Sequence, residues 1–312
     1  MSTMLVTGGA GFIGSHLVEQ LLGLGHDVRV LDDFSTGRRE NIAPFEADID
    51  LHVGDIRNID AVRAAMRGVD VVFHEAALAS VPRSVDDPVT SNKVNVGGTL
   101  NVLVAARDAG VGRLVYASSS SVYGDSPELP KREDMAPAPE SPYAVGKLAG
   151  EHYCRVFSSL YGLECVALRY FNVFGPRQDP SSQYAAVVPI FTSALLAGNR
   201  CLINGDGEQS RDFTYVENVV TANLLAADTS GVGGEVMNIA CGDTITVNTL
   251  HERLRVLTGS DLQPEHGPDR AGDVKHSFAD VARAKRLLSF EPEVSFEDGL
   301  ERTVAWFRDT VG

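Results

Sequence analysis

Tyr143 and Lys147 stand four residues apart at the start of a predicted helix, which puts both side chains on one face a turn apart. A phenol is a poor base at neutral pH: its pKa is ~10, and moving it to about 7 takes a preference for phenolate of about 4 kcal/mol. A lysine ammonium alongside, helped by any further positive charge, supplies that preference electrostatically. The pair is thus suited to take the proton of an alcohol. Ahead of it the chain reads SSSSVYG from Ser118, directly after a predicted strand over Arg113–Ala117. One of these hydroxyls is expected to hydrogen-bond the reacting oxygen, because the carboxyl ends of parallel strands are where open sheets bind ligands. An isolated YxxxK is common on exposed helices, so its weight depends on the elements around it.

Those elements start at the N-terminus. An apolar run (Met4, Leu5, Val6), a glycine turn, a helical pattern (Phe12, Ile13, Leu17, Val18, Leu21, Leu22) and a second apolar run ending on Asp32 read as strand, turn, helix, strand. Gly8 permits the sharp turn, Gly11 the approach of backbone to a pyrophosphate, and Gly14 close packing of helix on sheet. Unpaired N–H groups and the helix dipole favour phosphate there. The unit predicts a dinucleotide site formed by Gly8, Gly11, Phe12, Ile13 and Gly14, with Asp32, Asp33 and Gly37 around the adenosine ribose. A carboxylate at Asp32 accepts from a ribose 2′-OH and repels a 2′-phosphate, which favours NAD. Arg38 and Arg39 just beyond would suit a 2′-phosphate and leave NADP open. The positive ring of oxidised nicotinamide would add to Lys147 and receive a hydride from the carbon bearing the alcohol.

Alternation of short apolar runs and helical stretches continues down the chain and predicts an α/β fold with a doubly wound parallel sheet. Asp55 and Ile56 follow the strand at Leu51–Val53 and suit the adenine side of the cofactor; Ala76 and Ala77 follow the strand at Val69–Phe73 and let it lie against the backbone. His74 reads as a core histidine. Pro88 opens a helical pattern running to about Gly110 that carries Asn95, and Ser141-Pro142 starts the helix of Tyr143 well. Residues 125–142, rich in proline and acid, read as a surface loop. Composition changes near Arg169. Residues 1–170 are expected to form the NAD-binding lobe and 171–312 a smaller mixed α/β substrate lobe, with some chain crossing between them. Within the smaller lobe, strands over Arg200–Ile203 and Glu235–Ile239 read as isolated, and Trp306 as core.

Bulk properties narrow the partners. A net charge of -15 argues against nucleic acid, which needs a basic face. No apolar run approaches the ~20 residues of a membrane span, and no basic segment precedes an apolar one at the N-terminus, so a cytoplasmic protein is expected. Cys154, Cys165, Cys201 and Cys241 are scattered without a CxxC pair, which predicts buried free thiols and no metal site.

The segments TGGAGFIG, SSSSVYG and YAVGK together resemble the extended short-chain dehydrogenase/reductase family over essentially the whole chain. The resemblance implies that Tyr143 is the base, that Lys147 tunes it and holds the nicotinamide ribose, and that Ser119, 24 residues before Tyr143, assists. It also brings Asn95 and Tyr170 to the cofactor. Family dehydratases carry Asp-Glu before VYG and sugar-acid decarboxylases carry Glu; Ser120 and Ser121 stand here instead, which favours oxidation and reduction at one carbon. FNVFGPRQDP, YAAVVP, NGDGEQSRDF and RAGDVKHS resemble the segments with which UDP-sugar 4-epimerases hold UDP. By that likeness Asn172 contacts the diphosphate-sugar region, Ala186 and Val187 border the uracil, Asn204 lies near the base, Arg211 and Arg270 bind phosphate, and Asp273 binds the uridine ribose. Ser277 stands where glucose/galactose-restricted relatives carry tyrosine. Together with Ser80, Arg83 and Ser84 it makes the chain most similar to UDP-N-acetylglucosamine 4-epimerases. The family implies a UDP-hexose substrate, NAD retained through turnover, and a homodimer formed by the helices after Pro88 and Pro142. An epimerase restricted to non-acetylated sugars, a net dehydrogenase releasing NADH and a non-catalytic NAD-binding scaffold stand as alternatives.

Overall fold

Short runs of valine, isoleucine and leucine alternate with helical stretches, and the chain folds in that order. It forms β1 (Thr3–Thr7), α1 (Phe12–Gly23), β2 (Asp27–Asp32), β3 (Ile49–Val53), α2 (Ile59–Ala65), β4 (Val71–His74), α3 (Val81–Asp86), α4 (Pro88–Asn92), α5 (Thr99–Ala109), β5 (Arg113–Ser119), α6 (Pro142–Tyr161) and β6 (Glu164–Tyr170). A π-helical stretch, Lys93–Gly98, joins α4 to α5. There follow β7 (Val173–Phe174), α7 (Val187–Leu196), β8 (Leu202–Asn204), β9 (Ser210–Arg211), β10 (Thr214–Tyr215), α8 (Val216–Asp228), β11 (Val236–Ile239), β12 (Ile245–Thr246), α9 (Val247–Thr258), β13 (Glu265–Gly267), β14 (His276–Ser277), α10 (Ala282–Leu288) and α11 (Phe296–Val311). This computed structural model describes residues 2–180, 186–268 and 275–311. Arg270 and Asp273 therefore lie outside the described residues.

Seven strands build one parallel sheet in the order β11-β6-β5-β4-β1-β2-β3. Both faces are covered, which is why the strands read as nearly continuous apolar runs. Successive side chains alternate between two cores. Val115, Ala117, Val166 and Leu168 face α1, α8 and α10, whereas Leu114, Tyr116, Cys165 and Ala167 face α2, α5 and α6. A third core, with Phe174, Phe191, Phe213, Leu250, Phe296, Leu300 and Val304, holds the smaller lobe together. The strand order reverses between β1 and β4, and the carboxyl ends on either side of that reversal open the crevice where such sheets bind ligands.

Two expectations need correction. Neither strand expected to be isolated is so: Leu202–Asn204, in place of Arg200–Ile203, pairs with Glu265–Gly267, and Val236–Ile239 is the edge strand of the main sheet, paired from Val236↔Ala167 to Ile239↔Tyr170. A four-residue apolar run announces a strand but not its neighbour, which packing chooses. Trp306 is only half-buried; its neighbour Phe307 is the enclosed residue, because the inward stripe of α11 runs through Phe296, Leu300, Val304 and Phe307. All four cysteines are free, three of them buried. Among the described residues no helix is long and apolar enough to cross a membrane.

Candidate active site

The turn after β1 brings backbone against backbone. Gly8 adopts φ 71°, and a Cβ there would lie 2.7 Å from Ala76 N; a Cβ on Gly14 would lie 2.2 Å from Gly8 O. No side chain fits at either position. The start of α1 has no side-chain cap, and an uncapped helix N-terminus with its dipole suits a pyrophosphate. At the end of β2, Asp32 accepts Ala10 N at 2.9 Å and Phe34 N at 2.8 Å. A carboxylate has about four lone-pair sites, so two remain for a ribose. Burial pushes its pKa up, against those two hydrogen bonds. Gly37 packs on this carboxylate, where a Cβ would fall 2.8 Å from Oδ1, while Asp33 is exposed and caps Ser35 N. Asp55 is drawn to Arg57, whose Nε donates at 2.7 Å, and Ile56 is buried beside it. These residues fit the adenosine half of NAD.

The other half of the crevice lies past β4, β5 and β6. Asn95, in the π-helical stretch, accepts Leu78 N at 2.9 Å and donates to Leu78 O at 3.2 Å, fixing the loop that carries Ala76 and Ala77. His74 is enclosed between Thr7 and Thr99, and burial drives its pKa down to about 3. Ser119 ends β5. Its Oγ accepts from Ser121 Oγ at 2.9 Å and faces the Tyr143 phenol, favouring the ionised form. Lys147, 4% exposed, donates to Ala117 O at 2.6 Å, and its Nζ lies 5.8 Å from the Tyr143 ring centroid. Burial lowers the Lys147 pKa to about 8. Burial raises that of Tyr143, and Glu75 adds to the rise. The chain's own groups therefore do not depress the phenol as the Tyr-Lys spacing alone suggests.

Contacts of Ser84, Ser80, Glu151 and Glu75 escaped the sequence reading. Ser84, expected in a pocket, is fully buried; it donates to Val81 O at 2.6 Å and accepts Tyr143 N at 3.1 Å, tying α3 to the first turn of α6. Ser80 caps α3 by accepting Arg83 N, and Arg83 itself is exposed. Glu151, two turns beyond Tyr143, forms a bidentate pair with Arg169, each side chain 4% exposed. Glu75 accepts the Tyr170 hydroxyl at 2.8 Å. Its one legible signal was a carboxylate placed directly at a strand end, in HEAAL.

Beside this crevice a cleft of about 310 Å³ runs into the smaller lobe. Asn172, Ala186, Val187, Asn204 and Arg211 line it, with Phe213 and Val247 among its apolar walls. Asn172 Nδ2 donates to Asp212 O, and Arg211 Nη1 donates to Ser210 O and Lys275 O. Ser277 pairs with Arg211 in strand register and is half-buried. A larger cavity of about 480 Å³ lies between α6 and β11. Its lining includes two ion pairs, Glu151 with Arg169 and Arg283 with Glu235, together with His152 and Arg155.

Residues 4–240, from the glycine turn through β11, match the model of the NAD dependent epimerase/dehydratase family. The chain belongs to that family. NAD is the cofactor its crevice fits. Among its relatives, UDP-glucose 4-epimerase of Mycolicibacterium smegmatis is 44% identical over 312 residues, 98% of each chain. The crystal structure of UDP-glucose 4-epimerase with UDP-glucose from Thermotoga maritima superposes with a TM-score of 0.95 at 41% identity, covering 99% of this chain and 100% of that one. UDP-N-acetylglucosamine 4-epimerase from Methanobrevibacter ruminantium in complex with UDP-N-acetylmuramic acid does so with a TM-score of 0.95 at 42% identity, covering 99% of both chains.

Proposed function

We propose that this protein is an NAD-dependent isomerase that inverts C4 of a UDP-hexose through a 4-keto sugar, accepting UDP-N-acetylglucosamine and UDP-N-acetylgalactosamine as well as UDP-glucose and UDP-galactose. The observations that support the reading are Ser119 at the end of β5 beside Tyr143 and Lys147 on α6, and a cleft lined by Asn172, Ala186, Val187, Asn204 and Arg211 that starts two residues past β6. Tyr143 takes the proton of the sugar 4-OH in the first half-reaction and returns it in the second. Ser119 holds the reacting oxygen, and Lys147 supplies a positive charge beside the phenol. When bound, NAD would supply the hydride acceptor and a positive ring that would lower the Tyr143 pKa.

Gly8, Gly11, Phe12, Ile13 and Gly14 would hold the pyrophosphate end of NAD, Asp32, Asp33, Gly37, Asp55 and Ile56 the adenosine, and Ala76, Ala77, Asn95 and Tyr170 the nicotinamide side. Asn172 and Arg211 would grip the UDP diphosphate, a guanidinium fork suiting that group. Ala186, Val187 and Asn204 would flank the uracil, and Arg270 and Asp273, outside the described residues, are assigned by family likeness alone. A serine at 277 beside Arg211 leaves room that a tyrosine would fill, which favours the acetylated sugars. Exposed Val145, Val156 and Leu160 on α6, with Val81, Val85 and Val89 before them, suit a homodimer; light scattering on the purified protein reads its mass.

Purified protein given UDP-N-acetylglucosamine and UDP-glucose side by side, without added NAD, should convert both to their C4 epimers. Ser277→Tyr should suppress the acetylated sugar and spare the plain one, and Tyr143→Phe should lower kcat by roughly 10²–10⁴. Conversion of UDP-glucose alone by the unmutated protein would refute the open pocket; no conversion even with added NAD would refute the epimerase reading.

A further inference from the structure

Two carboxylates stand around Lys147: Glu75 follows His74, which pairs with Tyr116 in register, and Lys147 Nζ donates to the carbonyl of the next β5 residue, Ala117, at 2.6 Å, while Glu151 lies one turn along α6. Glu151 has a guanidinium of its own: Arg169 Nε donates to Oε1 at 2.8 Å and Nη2 to Oε2 at 2.7 Å, and Ser118 Oγ donates to Oε1 as well. Its charge is neutralised where it stands. Glu75, just beyond β4, has no such partner. Its backbone N–H donates to Thr7 O at 3.1 Å, its Oε1 accepts the Tyr170 hydroxyl at 2.8 Å, and the Tyr170 oxygen accepts Asn223 Nδ2 at 2.8 Å. The chain of hydrogen bonds from α8 through β6 fixes where the carboxylate points. Among the described residues the cation acting on it is Lys147.

We infer that Glu75 is a positioning residue for the Tyr143–Lys147 pair: clamped by Tyr170, its carboxylate is the counter-charge that keeps the enclosed Lys147 side chain an ammonium. This rests on the roles given above to Tyr143 and Lys147. Burial disfavours the ammonium and lowers its pKa to about 8; Glu75 is the larger of the two opposing influences, ahead of Glu151. Burial in turn raises the Glu75 pKa to about 7, with the Tyr170 hydrogen bond and Lys147 pulling the other way.

The other groups facing the pair do not replace it. Tyr143, from the same helix as Lys147, has its own pKa raised by burial and by Glu75. Tyr170 from β6 and Tyr116 from β5 are held well above the ordinary tyrosine range by burial. His74, next in the chain, is neutral at these pH values. Ala117 O and Asn223 carry no net charge. With Glu151 matched to Arg169 and an ionised Glu75 to Lys147, the site is neutral until Tyr143 ionises. One positive charge brought by oxidised nicotinamide then balances the phenolate. A neutral residue at position 75 would instead let Lys147 shed its proton near neutral pH, and an uncharged amine gives a phenolate no Coulombic support.

The sequence holds five lysines, so lysine labelled with ¹³C at Cε gives five resonances, that of Lys147 assigned by its loss in Lys147→Arg. Titrated by NMR on the full chain, Lys147 should show a midpoint near pH 8, and Glu75→Gln should lower it by on the order of one pH unit. The glutamine amide oxygen still accepts the Tyr170 hydrogen bond, so a purely structural role for Glu75 would leave the midpoint where it was. An unchanged midpoint overturns the inference. In the unmutated protein the same resonance should also register the ionisation of Glu75 as a smaller inflection near pH 7, and a single step without it overturns the inference even if the variant does not fold. Turnover of UDP-glucose by Tyr143→Phe is read separately: full activity there would remove the base assignment, while the Lys147 midpoint still answers for Glu75.

Discussion

Gly14 and Gly23 sit on the same helix and should respond oppositely to the same substitution. A Cβ on Gly14 would lie 2.2 Å from Gly8 O, 2.9 Å from Gly8 C and 2.9 Å from Gly9 Cα. All three are backbone atoms of the cofactor turn, so no rotamer change relieves the clash, and either α1 or the turn must move by about an ångström. Overpacking of this kind costs about 1–3 kcal/mol. At Gly23 nothing lies within 4 Å of the added Cβ. Alanine there removes backbone freedom from the unfolded chain and should be neutral or stabilising by up to about 1 kcal/mol. Urea unfolding of both variants reads these differences directly. Because the turn is also where the pyrophosphate is proposed to sit, Gly14→Ala should weaken NAD binding in calorimetry about tenfold or more, each ~1.4 kcal/mol of misfit being a factor of ten. Gly23→Ala should bind NAD as the unmutated protein does. If Gly14→Ala keeps both its unfolding midpoint and its NAD affinity, the account of the turn as a tight cradle is wrong.

Glu151→Gln should cost roughly 3–5 kcal/mol in urea unfolding by leaving the Arg169 guanidinium buried without its counter-ion, and Glu151→Leu combined with Arg169→Met should recover much of that loss. Asp212 accepts Cys241 N at 2.9 Å, Gly242 N at 3.0 Å and Ala279 N at 3.2 Å. Asp212→Ala should destabilise by roughly 2–4 kcal/mol and, since Arg211 adjoins it, raise KM for the UDP-sugar more than it lowers kcat. His16 Nε2 bonds Pro176 O at 3.0 Å, and burial lowers its pKa to about 4. A depressed histidine contributes stability that is complete above its unfolded pKa of ~6.5 and is lost as pH falls through the folded value, here up to about 3 kcal/mol. His16→Gln should therefore flatten the stability profile between pH 6.5 and 4; an unchanged slope would contradict the assignment.

Rules that act between near neighbours made much of this protein legible from residue order. Glycine at 8, 11 and 14 answers a steric demand of a turn on a helix, and the positive φ of Gly8 meets it. Continuous apolar runs answer burial on both sheet faces, so a parallel, doubly wound sheet was readable. The four-residue spacing of Tyr143 and Lys147 fixes a shared helix face without any knowledge of the rest. Tertiary structure decided what those rules do not reach. The partner of Val236–Ile239 was set by which edge of the sheet stood open, Phe307 rather than Trp306 was buried because α11 docks by one stripe, and Ser84 was spent on Tyr143 N. Above all, the charges around Lys147 come from the end of β4, from β6 and from α6, segments far apart in sequence. Electrostatic influence depends on distance and enclosure, neither of which a linear pattern carries, so only the folded chain distinguishes a Glu151 already matched to Arg169 from a Glu75 left to Lys147.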